Sequence, residues 1–353
     1  MRQAGRSTQI FFLVRRNLFS TPLNSVLTLL CLWILVQTVP PFFEWAFEKA
    51  TFVGSSRESC RAGGACWVFI KENFTYAMVG FYPRAQMWRI WACVLLLLLF
   101  VSPFFFKDFK HRGKLFLIIL TLYPIMAGIL LRGGLFGLLP VDTRQWGGLL
   151  LTLVVAVMGI VLATPLAVLL ALGRRSPMVS VRGFCHVFVE FWRGIPLLLV
   201  LFVASVMLPF FLSSDAPIDK LIRVIIGVVL FEAAYLAEVI GGGLQGIPKE
   251  QYEAAKTLGL GYWQAHLYII LPQAFGIVIP GLMNIWIALF KDTTLVLVVG
   301  LFDLLGAVHS ASNNPLWIGS TMEGYVFIGF IYWLFCFCAS RYAQRFELQP
   351  GRH

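Results

Sequence analysis

The chain has 353 residues, of which 59% are hydrophobic and 13% are charged, and its mean hydropathy is +0.82. A soluble domain keeps roughly a quarter of its residues charged, so this composition excludes a protein surrounded by water alone. The net charge of +11 does not indicate a nucleic-acid partner, because no basic stripe with interleaved aromatic residues is present and membrane proteins retain Lys and Arg on the cytoplasmic side. The sequence predicts an all-α, polytopic membrane protein.

Long apolar runs predict the membrane spans, since a transmembrane helix needs about 20 predominantly apolar residues. Eight segments qualify, and in chain order they are 22–43, 89–106, 115–132, 147–172, 184–212, 220–243, 275–300 and 322–341. The first run follows a basic N-terminus and continues through Pro40 without a small-residue cleavage site, which favours an uncleaved signal anchor. Lys and Arg are concentrated in alternate loops, so the positive-inside rule predicts that both termini are cytoplasmic.

The predicted outer loop, 44–88, contains two of the seven cysteines in a polar stretch, Cys60 and Cys66, with Gly63 and Gly64 between them. In an oxidising compartment such a pair can form a short disulfide, and two free thiols are the equal alternative. A zinc site needs more ligands than this loop offers. No metal site is therefore predicted.

The predicted inner loop at 246–274 is long and only partly apolar. Pro248 suits the start of a helix, and Gly259 suits the turn that ends it. Between them, one apolar face is predicted from residues at a spacing of three, namely Tyr252, Ala255 and Leu258. A second segment, 262–271, is predicted to stop at Pro272. The pattern predicts a helix-turn-helix that presents an apolar face to a partner, and a helix lying on lipid headgroups is the alternative.

The same loop carries a motif with fixed spacing. Glu253, Ala254 and Ala255 are followed after three residues by Gly259, and after nine more residues by the stretch Ile269–Pro272. This order resembles the EAA signature of ABC importer permeases, in which EAA, three residues, Gly and nine residues precede I-x-L-P. The resemblance implies a type I importer core of five spans.

Neighbouring motifs narrow the resemblance to polar amino-acid permeases of the histidine and glutamine group. They are EFWRGIP at 190–196, AEV at 237–239, GGLQGIP at 242–248 and FKDTTL at 290–295. The five-span core of that group maps onto 147–346, followed by a cytoplasmic tail at 347–353. The extra spans and loop in 1–146 resemble the longer subunit of general L-amino-acid importers. Gly241 is a departure, because the family commonly has Arg there.

The resemblance implies that the loop is a coupling helix that docks on a cytoplasmic ATPase subunit. The implied coupling residues are Tyr252, Glu253, Ala254, Ala255, Leu258 and Gly259. No Walker A sequence occurs in this chain, so ATP and Mg²⁺ are expected on a partner ATPase dimer, and the chain itself is expected to be no enzyme and to hold no cofactor. The other implied partners are a second homologous permease, a periplasmic binding protein, an amino-acid substrate and lipid, all in a bacterial inner membrane. Homodimerisation stays open.

Charges inside the spans are the candidates for the substrate pathway, because each costs at least about 2.5–3.5 kcal/mol at mid-bilayer. Glu190 and Arg193 share a helix face and form either a structural salt bridge or a ligand contact. Glu238 precedes Gly241 and Gly242. Its carboxylate is either the partner of a substrate ammonium group or a structural acceptor for a neighbouring helix.

A run of four polar residues interrupts the seventh span, namely Lys291, Asp292, Thr293 and Thr294. Such a stretch must line a cavity or lie within protein. Lys291 suits a substrate carboxylate and the Thr hydroxyls suit its orientation, whereas pairing of Lys291 with an acidic residue is the alternative. An ion-coupled secondary transporter is the alternative function, and it explains the charged spans but not the EAA loop.

Overall fold

The computed structural model describes residues 16–102, 112–211 and 218–347. Within these ranges the chain forms helices joined by turns, with isolated β-bridges and no strand. Five helical segments there are long and apolar enough to cross a membrane, or six if one bent pair counts as a single span. The all-α, polytopic fold class is therefore confirmed.

Thirteen α-helices can be numbered in the described ranges. They are α1 (Pro22–Phe43), α2 (Trp67–Val79), α3 (Trp88–Val101), α4 (Arg112–Arg132), α5 (Gly148–Gly173), α6 (Val179–Gly194), α7 (Leu197–Phe202), α8 (Lys220–Gln245), α9 (Lys249–Thr257), α10 (Tyr262–Ala265), α11 (Leu271–Asp292), α12 (Leu304–Ser312) and α13 (Thr321–Glu347).

The described residues fall into two compact units. The first comprises those of 1–72 and 314–323, and the second those of 73–313 and 324–353. In the first unit α1 continues as a short π-helix, Glu44–Glu48. The second unit holds the tightly packed helices α5, α8 and α11, which carry or support the candidate sites.

The predicted spans agree with the helices at most boundaries and differ at one. The predicted span 184–212 is not one straight helix, because α6 and the helical segment Leu197–Phe211 meet at an angle of 99°, as in a broken span or a re-entrant loop. Ile195, between them, has extended backbone angles (φ −105°, ψ 134°), which is the conformation that a following proline favours. Residues 103–111 lie outside the described residues, and they include the end of the predicted span 89–106. The number of eight spans therefore stays a prediction.

Glycines allow the helices of the second unit to approach closely. A Cβ added to Gly159 of α5 would lie 3.0 Å from both Leu289 of α11 and Val228 of α8. A Cβ added to Gly243 of α8 would lie 2.5 Å from Val278 Cγ1 and 2.9 Å from the Ala274 carbonyl oxygen, both of α11. These positions bring α8 and α11 to backbone contact distance.

Asp303 fixes the start of α12 from a buried position. Its Oδ1 accepts the Gly306 backbone N–H at 2.9 Å, and its Oδ2 accepts the Tyr332 hydroxyl at 3.2 Å. Burial raises the pKa of Asp303, while these hydrogen bonds act in the opposite direction. The carboxylate therefore serves both as the N-cap of α12 and as a partner for α13.

We expect Asp303→Ala to lower the free energy of unfolding by about 1–2 kcal/mol, because it removes an N-cap and one hydrogen bond of the Tyr332 hydroxyl. Thermal unfolding of the purified protein in detergent checks this. Asp303→Asn keeps an acceptor oxygen and should lose less. An equal loss in both variants would contradict the capping role.

Candidate coupling and translocation sites

The predicted coupling loop folds as a short helix with one exposed side. Pro248 is the N-cap of α9, and Gly259 follows the helix with a left-handed φ of +72°. Glu253 and Ala254 are exposed, whereas Ala255 is 1% exposed. The acidic side chain is thus presented outward, and the second alanine of the motif packs against its own chain.

The predicted apolar face of α9 is wrong at its last member. Tyr252 and Ala255 turn inward, and the Tyr252 hydroxyl donates to the Leu244 carbonyl oxygen of α8 at 3.2 Å. Leu258 is 74% exposed, because the helix ends at Thr257 and Leu258 leaves helical geometry as the C-cap (φ −75°, ψ 0°). Leu258 is therefore an exposed apolar side chain at the end of α9.

The segment after the turn does not stop at Pro272, in contrast to the prediction. A π-helix, His266–Ile270, follows α10, and α11 begins at Leu271 with Pro272 in its first turn. Tyr262–Val299 forms one continuous helical stretch. A proline inside a helix lacks an N–H and clashes with the carbonyl four residues earlier. The wider π turn removes this conflict.

An ion cluster joins α5, α6 and α8. Arg174, the C-cap of α5, lies 2.5 Å from Glu238 and 3.9 Å from Glu190. Arg193 lies 3.1 Å from Glu238 and 3.5 Å from Glu190. The four side chains carry no net charge together, and each guanidinium contacts both carboxylates. We call these residues the ion cluster.

The ion cluster changes the interpretation of Glu238. Sequence reasoning gave this carboxylate two roles, and the structure favours the structural one, because two arginines already occupy it. Arg174 was not recognised as a partner, since it follows an apolar run and looks like an ordinary charge at the end of a span. Only the parallel packing of α5 beside α8 brings it to Glu238.

Three further residues of α8, Glu232, Gly241 and Gly242, lie outside the ion cluster. Glu232 is 3% exposed, and its Oε2 has no hydrogen-bond partner among the described residues, so it lies apart from the ion cluster. A Cβ added to Gly241 or Gly242 meets nothing within 4 Å in the described part of the chain. A side chain at position 241 would therefore meet no obstacle at its first carbon among the described residues.

The polar run in the seventh span marks a change of helix type. α11 ends at Asp292, and Thr293–Val299 forms a 3-10 helix. The Thr293 and Thr294 hydroxyls each donate at 2.9 Å to a carbonyl oxygen three residues earlier. Lys291 is exposed and has no ion-pair partner in the described ranges. Lys291 and Asp292 therefore do not form an ion pair in this structure.

A disulfide joins Cys60 and Cys66 in the first unit. The Cys66 backbone N–H donates to Glu323 Oε1 at 2.8 Å, and Glu323 is 5% exposed. The bridge thus anchors its loop to the start of α13. Among the described residues, no group of three or more His, Cys, Asp or Glu side chains is arranged to hold a metal ion.

We expect Cys60 and Cys66 to resist a membrane-impermeant maleimide in intact cells and to react after mild reduction. Mass spectrometry of the labelled protein, counted per cysteine, checks this. Cys60→Ser is the matched control, since it should make Cys66 reactive without reductant. Labelling of both thiols before reduction would contradict the bridge.

Comparisons with known proteins agree with this architecture. Residues 163–348 match the family described as "Binding-protein-dependent transport system inner membrane component". An inner membrane amino-acid ABC transporter permease of Escherichia coli, YhdY, is 52% identical over 97% of this chain and 93% of its own length.

Two other relatives extend the similarity. A glutamate/glutamine/aspartate/asparagine transport system permease of Rhodobacter capsulatus, BztC, is 36% identical over 96% of this chain and 93% of its own length. A glutamate/aspartate import permease of Escherichia coli, GltK, is 34% identical over 55% of this chain and 87% of its own length. The first two relatives match nearly end to end, so the similarity includes the N-terminal spans.

Proposed function

Because this chain belongs to the family of inner membrane components of binding-protein-dependent transport systems, we propose that it is a permease subunit of an ATP-driven amino-acid importer. It forms half of the translocation pathway and couples that pathway to a cytoplasmic ATPase. The single observation that carries the coupling role is the outward presentation of Glu253 on α9, inside a complete EAA motif. The substrate class rests on the relatives, which are amino-acid permeases by name.

We assign the partners and topology from the same premise. ATP and Mg²⁺ bind a separate ATPase dimer, a periplasmic binding protein delivers the amino acid, and a second homologous permease supplies the other half of the pathway. Both termini and α9 face the cytoplasm, and the disulfide loop faces the periplasm. Residues 147–346 form the permease core and 1–146 an extension.

The contacts of α9 suggest how nucleotide-driven motion enters the subunit. Glu253 and Leu258 offer a charge and an apolar side chain to the ATPase groove. On the opposite side, Tyr252 bonds to α8, and the Gln273 amide of α11 donates to Gln251 at 3.3 Å. A displacement of α9 therefore acts on the two helices that carry Glu238 and Lys291. Lys291, which has no ion-pair partner in the part of the chain that the structure describes, is the candidate for the substrate carboxylate.

Reconstitution tests this function. The chain is purified with the ATPase and permease that co-elute, placed in proteoliposomes with the binding protein, and assayed for uptake of radiolabelled glutamate, glutamine and other L-amino acids. Uptake should require ATP on the side of the membrane that carries the ATPase, and it should persist after ion gradients are dissipated. Full uptake driven by an ion gradient without an ATPase would favour the secondary-transporter alternative, which no comparison supports.

A further inference from the structure

Two adjacent arginines directly after α5 contact two different parts of the subunit, namely the ion cluster and the helix α9. Arg174 belongs to the ion cluster. Arg175, the next residue, lies over the ring of Tyr252 on α9, with its guanidinium carbon 5.7 Å from the ring centroid. At this distance a guanidinium over an aromatic face is an attractive cation–π contact. The backbone turn that contains Arg174 and Arg175 therefore joins the coupling helix α9 to the ion cluster.

That turn is held tightly by backbone hydrogen bonds. The N–H groups of Arg174 and Arg175 donate to Leu170 and Leu172 at 2.9 and 3.0 Å. A Cβ added to Gly173 would lie against Cys185 Sγ of α6, so α5 and α6 are in close contact here. A displacement of the Arg175 backbone would therefore act on Arg174, its neighbour in the same hydrogen-bonded turn.

The ion cluster is suited to respond to such a displacement. It links the ends of α5, α6 and α8 through four ion contacts between 2.5 and 3.9 Å. The Tyr235 hydroxyl of α8 also donates to the Arg193 carbonyl oxygen at 3.4 Å. Arg193 is in the last turn of α6, directly before the 99° bend to α7. A shift of Arg174 therefore changes the contacts that hold this bend against α8.

We propose that Arg175 and Arg174 are positioning residues that transmit movement of the coupling helix, through the Tyr252 ring, to the ion cluster at the α6–α7 bend. The inference rests on the proposed function and deepens it, because it adds a route within this subunit that does not pass through the covalent connection between α8 and α9.

The test measures amino acid transported per ATP hydrolysed in proteoliposomes that contain the complete complex and binding protein. Arg175→Leu should lower this ratio at least about threefold while ATP hydrolysis continues, as expected for loss of a cation–π contact. Arg182→Leu is the matched control, since Arg182 is an exposed cation in the first turn of α6 that donates to the Ser176 carbonyl oxygen at 3.5 Å. It should keep the wild-type ratio.

A double-mutant cycle makes the test specific. Tyr252→Leu should lower the ratio at least as much as Arg175→Leu does, whereas Tyr252→Phe, which keeps the ring and loses only the hydrogen bond to Leu244, should lower it less. The double variant Arg175→Leu with Tyr252→Leu should lose no more than Tyr252→Leu alone. Additive losses, a wild-type ratio in Arg175→Leu or an equal loss in Arg182→Leu would overturn the link. Lack of ATP-driven uptake by the wild-type complex would instead reject the proposed function, and the link with it.

Discussion

Glu253→Arg should reduce ATP-driven amino-acid uptake at least about tenfold, because reversing one member of an interfacial charge pair costs 2–5 kcal/mol and each 1.4 kcal/mol is a factor of ten. The side chain is exposed on α9, and none of the ion pairs among the described residues includes it. Uptake, ATPase activity and co-elution of the ATPase are measured on the same preparation.

The matched control for this variant is Glu250→Arg. Glu250 is also exposed and lies in the first turn of α9, so it undergoes the same change of charge outside the EAA motif. It should retain most of the uptake, apart from a small loss of favourable interaction with the helix N-terminus. Equal losses in the two variants would indicate that net charge, and not the position of Glu253, matters to the ATPase.

Gly243→Ala should destabilise the subunit markedly, although alanine favours helices over glycine by about 1 kcal/mol. The added methyl group would lie 2.9 Å from the Ala274 carbonyl oxygen, and a backbone atom cannot rotate away. Overpacking of this kind costs roughly 1–3 kcal/mol, and Gly243→Val should cost more. Thermal unfolding in detergent and the yield of assembled complex report the loss.

The neighbouring glycine supplies the control. Gly242→Ala carries the same gain in helix propensity, but its methyl group meets nothing within 4 Å among the described residues. It should leave the thermal midpoint unchanged or raise it. The difference between the two alanine variants isolates the close approach of α8 and α11, and identical midpoints would show that the helices separate at little cost.

Apolar length predicted the membrane helices well, because lipid selects for it directly along the chain. The predicted segment 22–43 coincides with α1, and 220–243 ends two residues before α8 does. The EAA motif likewise led to Glu253, whose exposed position needs only a short amphipathic helix. These features depend on local sequence, so they were accessible without tertiary contacts.

The two prolines show where local sequence was insufficient. Pro196 follows Ile195 and coincides with a 99° bend, whereas Pro272 follows Leu271 and lies within a continuous helical stretch. The dipeptides are chemically alike, and the outcome depends on the preceding turn, which is extended before Pro196 and π-helical before Pro272. A pattern of apolar residues does not distinguish a π turn from an α turn.

Charge partners were the least predictable part of the site. The pair Glu190 and Arg193 is local and was expected, and the structure has it at 3.5 Å. Glu238 contacts Arg174 and Arg193, which lie 64 and 45 residues away along the chain. Such contacts follow from the packing of α5, α6 and α8, and no spacing in the sequence encodes that packing.

The order of the ion-cluster residues along the chain has a consequence for biogenesis. Arg174, Glu190 and Arg193 are all synthesised before Glu238, so both cations are already in place when α8 leaves the ribosome. Glu238 lies towards the end of α8, so an unpaired carboxylate there costs less than the roughly 2.5–3.5 kcal/mol of mid-membrane, and the two arginines offset part of that cost. α8 should therefore insert efficiently only behind α5 and α6, which gives membrane assembly of this subunit a direction from these helices towards the C-terminus.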